Sequence, residues 1–106
     1  MLDLKIHGGT VVTPSGVGQF DIGIQDEKIV LVAARNSIID ESQISIDATG
    51  KYVLPGGIEP HTHIATRVSE DWAGRPGVMT QSPEAASRAA AHGGVTTYID
   101  LSLIHI

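Results

Sequence analysis

The chain changes pattern at Pro55-Gly56-Gly57, and no single type of layer accommodates both sides of that point. Before it, apolar residues recur at every second position in short runs. Leu2, Leu4 and Ile6 alternate with Asp3, Lys5 and His7, and Gly8-Gly9 then lets the chain bend or bulge ahead of Thr10-Val11-Val12-Thr13. A period of two is that of a half-buried β-strand, whose successive side chains point to opposite faces. Pro14-Ser15-Gly16 marks a turn. Phe20, Ile22 and Ile24 alternate with Asp21, Gly23 and Gln25, the segment Gln25-Asp26-Glu27-Lys28 reads as a turn, and the β-branched run Ile29-Val30-Leu31-Val32-Ala33 reads as the hairpin partner. Residues 36–45 are polar and aperiodic and are assigned to loop, with Ile44 and Ile46 as the trace of one further short strand. Asp47-Ala48-Thr49-Gly50 is a turn signal, and Tyr52-Val53-Leu54 a last short strand. Residues 1–54 therefore read as all β and antiparallel, as part of a small β-sandwich.

After Pro55 the pattern is strand, helix, strand, and residues 55–106 form the second domain of the reading. The first strand spans 58–64, although Pro60 cannot donate a ladder hydrogen bond and predicts a bulge near its end. Ser82-Pro83-Glu84 is a helix start: Ser as N-cap, Pro at the first helical position, and an acid in the first turn. Strong helix formers follow from Ala85 to His92, and Gly93-Gly94 supplies the stop, giving a helix of about ten residues. His92 in the last turn is explained by the helix C-terminus. Val95-Thr96-Thr97-Tyr98-Ile99-Asp100-Leu101 is the second strand, which a β-α-β connection makes parallel to the first. The fold class is α/β with an all-β N-terminal part.

The first of these two strands carries the residues with chemistry. His61 and His63 are two apart, so in an extended strand they project to one side, roughly 7 Å apart along the backbone. Two imidazoles there can reach one point, and neutral imidazole nitrogen is the commonest protein ligand for a divalent metal. Glu59 falls on the same face by the same count. Taken alone, a His-x-His pair is as often two partly solvated histidines as a metal site. His7, on the polar side of its strand, reads as a surface residue. Asp100 closes the second strand and reads as a strand-end cap or a partner for a loop. Between strand and helix, residues 65–81 make a long connection containing Arg67, Glu70, Asp71, Trp72, Arg75 and Pro76-Gly77. Loops of this length in compact domains are usually functional, so a lid or pocket loop is the reading.

Other classes are excluded by composition. The net charge is −5 without a Lys/Arg cluster, which gives no electrostatic footprint for nucleic acid or an anionic membrane surface. There is no cysteine, hence no disulfide framework, thiolate metal site or cysteine nucleophile. The start of the chain lacks the basic and apolar runs of a signal peptide, and no run of eighteen apolar residues occurs, so a cytoplasmic location is expected. With 106 residues, 42% of them hydrophobic, the chain has enough apolar material for one small core.

Three segments together carry a resemblance. They are the run from Asp3-Leu4-Lys5-Ile6 to Val12; Asp21-Ile22-Gly23-Ile24 with Lys28-Ile29-Val30; and the run from Ile46-Asp47-Ala48-Thr49-Gly50 through Leu54-Pro55-Gly56-Gly57 to His61-Thr62-His63. In that order they resemble the start of the amidohydrolase superfamily, specifically its dihydropyrimidinase/hydantoinase branch. Gly93-Gly94-Val95-Thr96-Thr97-Tyr98-Ile99-Asp100 is similar to that branch's second barrel strand. The resemblance runs from Asp3 to about Leu101. It implies part of a small β-sandwich followed by the first β-α-β of a (β/α)8 TIM barrel, and it implies that His61 and His63 are ligands of a binuclear centre, usually two zinc ions. The remaining ligands of that family, a carboxylated lysine, two histidines and an aspartate, come from later strands. Glu59 is implied to be a structural carboxylate or one that supports a ligand from behind, and not a ligand.

A complete barrel takes ~250 residues, and only about fifty follow Pro55, so an N-terminal fragment, inactive by itself, is expected. Residues 101–106 depart from the family's pattern, and His105 receives no role. The implied activity of the intact enzyme is hydrolysis of a cyclic amide by water activated on the metal pair. The resemblance further implies a homo-oligomer, a tetramer. Dihydroorotases carry an arginine two residues after the second histidine, where this chain has Ala65; this leaves a dihydropyrimidine, hydantoin, allantoin or another cyclic ureide as substrate. The competing class is the non-catalytic dihydropyrimidinase-related structural protein, which tends to lack the metal-binding histidines present here.

Overall fold

The alternating runs of the first half become six strands, and their registers explain why the sheet they form is curled. The computed structural model describes residues 1–66 and 79–101. Its strands are β1 (Leu2–His7), β2 (Thr10–Thr13), β3 (Gly16–Gln25), β4 (Lys28–Ala34), β5 (Ser42–Asp47) and β6 (Tyr52–Val53). The long β3 runs antiparallel to β1 through its C-terminal half and to β2 through its N-terminal half. Thus β1 and β2 are one strand interrupted at Gly8-Gly9. Ile6 pairs with Ile22 and Thr10 with Gln19, so the β1–β2 side carries one residue more than β3 between those pairs. An extra residue bends a strand and increases its twist. Gly8 takes φ +80, the left-handed region open to glycine, which is where the bend is made.

The same bend recurs in the next strand out. β5 pairs parallel with β1, and β6 parallel with β2, so β5 and β6 follow the interrupted strand past Ala48, Thr49, Gly50 and Lys51. His7 O accepts from Ala48 N at 2.7 Å and Lys51 O from Thr10 N at 2.9 Å, which ties the two bends together. This parallel edge differs from the all-antiparallel expectation. Ser42–Asp47 is also longer than the short strand traced from Ile44 and Ile46. Only Ile44 and Ile46 alternate in it, and pairing with β1 extends the strand over all six residues. On the other side of β3, β4 forms the expected hairpin. Its two-residue turn has φ 52 at Asp26 and 61 at Glu27, the positive pair that matches strand twist.

One buried carboxylate holds the bend. Asp21 is 3% exposed; its Oδ1 accepts from Gly8 N at 3.2 Å and its Oδ2 from Asn36 N at 2.8 Å. Both donors lie where the ladders are interrupted and would otherwise go unpaired. Arg35 adds a donor from the other direction, its guanidinium lying 2.6 Å from Gly8 O. Apolar burial is concentrated at Leu2, Val11, Ile22 and Ala48, whereas Ile29, Val32, Ile44 and Ile46 stay exposed.

The chain divides into two compact units, Met1–Pro55 and Gly56–Ile106. In the second, β7 (Gly57–Thr62) and β8 (Val95–Asp100) pair parallel across the helix α1 (Pro83–His92). Ser82 caps the helix as expected, its Oγ accepting from Ala85 N at 3.3 Å, with Pro83 in the first turn. Gly93 and Gly94 end it, Gly94 at φ +83. His92 Nδ1 lies 3.0 Å from Arg88 O, a local contact within the last turn. Among the described residues no helix is long and apolar enough to cross a membrane.

Two outcomes follow for the first unit. In the intact protein, Asp21→Ala leaves two amides without an acceptor and is expected to cost roughly 2 kcal/mol in urea unfolding, with Asp21→Asn losing less because one oxygen remains. A midpoint unchanged by Asp21→Ala contradicts the pinning role. The second concerns Asp47, whose carboxylate accepts from the Thr49 hydroxyl at 2.6 Å and the Thr49 amide at 2.9 Å. These hydrogen bonds hold its pKa below the ordinary 3.8. A pKa depressed in the folded state adds stability above the unfolded value, and that stability is lost as pH falls through the folded one. The difference in unfolding midpoint between wild type and Asp47→Asn is therefore expected to shrink as pH drops below 3.8.

Candidate metal centre

Pro60 interrupts β7, and the interruption arranges the histidines. Ile58 pairs with Thr97 and Glu59 with Tyr98, but Thr62 pairs with Asp100, so β7 holds one residue more than β8 over that interval. This is the irregularity that Pro60 predicts. His61 lies in the bulge, and its amide is taken by the Glu59 carboxylate, with Oε1 accepting at 3.0 Å. Glu59 thus acts on the backbone, as a structural carboxylate.

The strand ends at Thr62, two residues short of the expected Ile64, so His61 sits inside it and His63 just beyond it. Strand periodicity therefore does not by itself bring the two rings together. The end of β8 does. Leu101 N donates to Thr62 O at 2.8 Å, Leu101 O lies 2.6 Å from His63 Nδ1, and Asp100 Oδ1 accepts from Ile64 N at 3.0 Å. The two imidazoles meet edge to face, with centroids 5.1 Å apart, planes at 84° and Nε2 atoms 3.3 Å apart. His61 is exposed and His63 half-buried.

That nitrogen separation can be tested against a metal. Two nitrogens bound at ~2.05 Å to one tetrahedral zinc lie about 3.3 Å from each other. The pair has the matching separation. A carbonyl oxygen has no proton to give, so His63 Nδ1 is the donor to Leu101 O, and neutral His63 presents a bare lone pair at Nε2. That is the tautomer a metal needs, held by a second hydrogen bond of the kind that metal-ligating histidines make. Without an ion, the same contact is a hydrogen bond donated by His61 Nε2–H. Among the described residues no third His, Cys, Asp or Glu joins the pair to complete a metal-holding group.

His7 lies in β1 and is half-buried. Of the connection 65–81, Ala65 and Thr66 meet Thr80 and Gln81 through three hydrogen bonds of 2.8 to 2.9 Å, which close its base. Arg67, Glu70, Asp71, Trp72, Arg75, Pro76 and Gly77, the residues of the expected lid, lie outside the described residues. The contribution that sequence reasoning missed is the Leu101 carbonyl. A main-chain group carries no residue-type signal, and only the β7–β8 register points to it.

No family model matches the chain. Over 102 residues, 93% of this chain, it is 40% identical to a D-hydantoinase of Ralstonia pickettii, covering 20% of that protein. It is 38% identical over 101 residues to an allantoinase of Salmonella choleraesuis, covering 95% of this chain and 20% of the relative. Among solved structures, the L-hydantoinase (dihydropyrimidinase) of Arthrobacter aurescens superposes with a TM-score of 0.73 at 33% identity, over 95% of this chain and 21% of the other. The zinc complex of an N-acyl-D-glutamate deacylase of Bordetella bronchiseptica superposes with 0.63 at 25% identity, over 93% and 18%. The chain spans about a fifth of the length of the curated relatives it matches. Over the stretch it shares with these proteins, the chain is similar to hydantoinases, dihydropyrimidinases and allantoinases.

Proposed function

We propose that this chain is the N-terminal part of a metal-dependent hydrolase that opens a cyclic amide or ureide, and that His61 and His63 supply the first two ligands of its metal centre. The observation that carries the reading is the pair of Nε2 atoms 3.3 Å apart, with His63 Nδ1 engaged by a main-chain carbonyl. The hydantoinase and allantoinase relatives support the substrate class, and the zinc-bound structural neighbour supports the metal. Two divalent ions, zinc by resemblance, would be completed by residues beyond this chain. When bound, such ions supply an activated water at neutral pH and polarise the scissile carbonyl. The part played by this chain is to present two neutral imidazoles at fixed separation, with Glu59 and Asp100 occupied by backbone amides.

The two units are read as part of a small β-sandwich domain, 1–54, and the start of a (β/α)8 barrel, 55–106, of which β7, α1 and β8 are the first β-α-β. Ligands at the C-terminal end of a barrel strand are where catalytic groups of such barrels sit, and His61 and His63 are at that end of β7. A cytoplasmic tetramer completes the proposal. Non-catalytic relatives that lack metal-binding histidines are the competing reading, which the presence of both histidines disfavours.

Elemental analysis of the intact protein is expected to find about two divalent metals per chain. His61→Ala and His63→Ala are each expected to remove metal and at least two orders of magnitude of ring-opening rate on dihydrouracil, hydantoin or allantoin. An intact protein purified without zinc, manganese or iron, and taking up none on addition, contradicts the metal site. A metal-loaded protein inert toward all three substrates contradicts the activity.

A further inference from the structure

We propose that Asp100 is a positioning residue for this metal centre, holding His63 in place through the main chain; the inference rests on the metal reading above. Thr62 ends the ladder of β7, and Ala65 turns the chain sharply with φ 50, so among the described residues no strand ladder includes His63 or Ile64. The last residue of β8 and the residue after it take over. Leu101 holds Thr62 O and the His63 ring, and Asp100 holds the Ile64 amide at 3.0 Å. The Ile64 side chain is anchored as well, at 8% exposure, so its amide sits where an acceptor is required. The three hydrogen bonds thus fall on the residue before His63, on its ring and on the residue after it.

The geometry makes the two histidines unequal. Leu101 O keeps the proton of His63 on Nδ1, so His63 is set as an Nε2 ligand before any ion arrives. His61 faces that bare Nε2 with its own Nε2 at 3.3 Å, and in the ion-free protein it is the donor of the pair. Asp100 keeps Leu101 O in register with His63 because its carboxylate clamps the neighbouring amide. The hydrogen bond from Ile64 N assigns one oxygen of the Asp100 carboxylate to the backbone.

The test compares the intact protein with Asp100→Ala and Asp100→Asn, the latter keeping an oxygen acceptor without the charge. Imidazole 15N spectra of the ion-free proteins, with His63 assigned by His63→Asn, report its tautomer; competition with a chelator reports zinc affinity. Wild type is expected to show His63 as the Nδ1–H form. Asp100→Ala is expected to show a mixture of tautomers and about tenfold weaker zinc binding, the usual effect of removing a group that orients a ligand. Asp100→Asn is expected to restore both. Should Asp100→Ala not fold, Asp100→Ser, whose hydroxyl is too short to reach Ile64, takes its place with the same expectation. Wild-type tautomer and affinity in the Ala or Ser variant overturn the proposal, and so does Asp100→Asn if it falls as far as Asp100→Ala. A wild-type protein that takes up no zinc fails the metal reading itself, and is thereby distinguished from a failure of the role of Asp100 alone.

Discussion

Parallel pairing of β7 with β8 is the constraint on which the candidate site depends. Parallel neighbours have their ends on the same side, and a helical crossover is what lets two consecutive strands run that way. Here the crossover brings Leu101 and Asp100 beside Thr62, His63 and Ile64, residues far apart in the chain. An antiparallel hairpin would place the opposite end of β8 there and leave His63 Nδ1 without its acceptor. The helix stop at Gly93-Gly94 belongs to the same constraint, because Gly57 N donates to Gly94 O at 2.8 Å and so starts the pairing.

Both units place irregularity where polar backbone groups need partners, and each supplies a carboxylate for them. In the first unit Asp21 answers the amides freed by the bend at Gly8 and by the turn at Asn36. In the second, Glu59 answers the bulged amide of His61 and Asp100 the amide beyond the strand end. A carboxylate suits this work because it only accepts and carries charge toward the donor, which shortens and strengthens the bond. At the candidate site each of these acids gives one carboxylate oxygen to a backbone amide, while the two imidazoles bring their Nε2 atoms together.

Much of this was legible in residue patterns because the underlying physics is local. Period-two alternation marks β1 and β3, a β-branched run marks β4, Ser82-Pro83 and Gly93-Gly94 mark both ends of α1, and Pro60 marks the bulge in β7. The parts that were not legible are those made by distant partners. Residues 42–47 show only the short alternation of Ile44 and Ile46, and their full length becomes a strand by pairing with β1 in parallel register. The sequence pattern puts His63 on one strand with His61, whereas it lies past the end of β7 and is held by the residue after β8.

The sequence by itself determined which residue types could do chemistry, two histidines two residues apart behind a proline and a glycine pair, because identity and spacing are one-dimensional facts. It also determined α1 and the strands marked by alternation or a β-branched run, since their starts and stops are a local competition among a few neighbouring residues. Only the tertiary structure decided that the two Nε2 atoms lie 3.3 Å apart, and that a main-chain carbonyl fixes the proton of His63. That carbonyl has no side chain to announce it, and its position depends on the register of two strands joined by a helix.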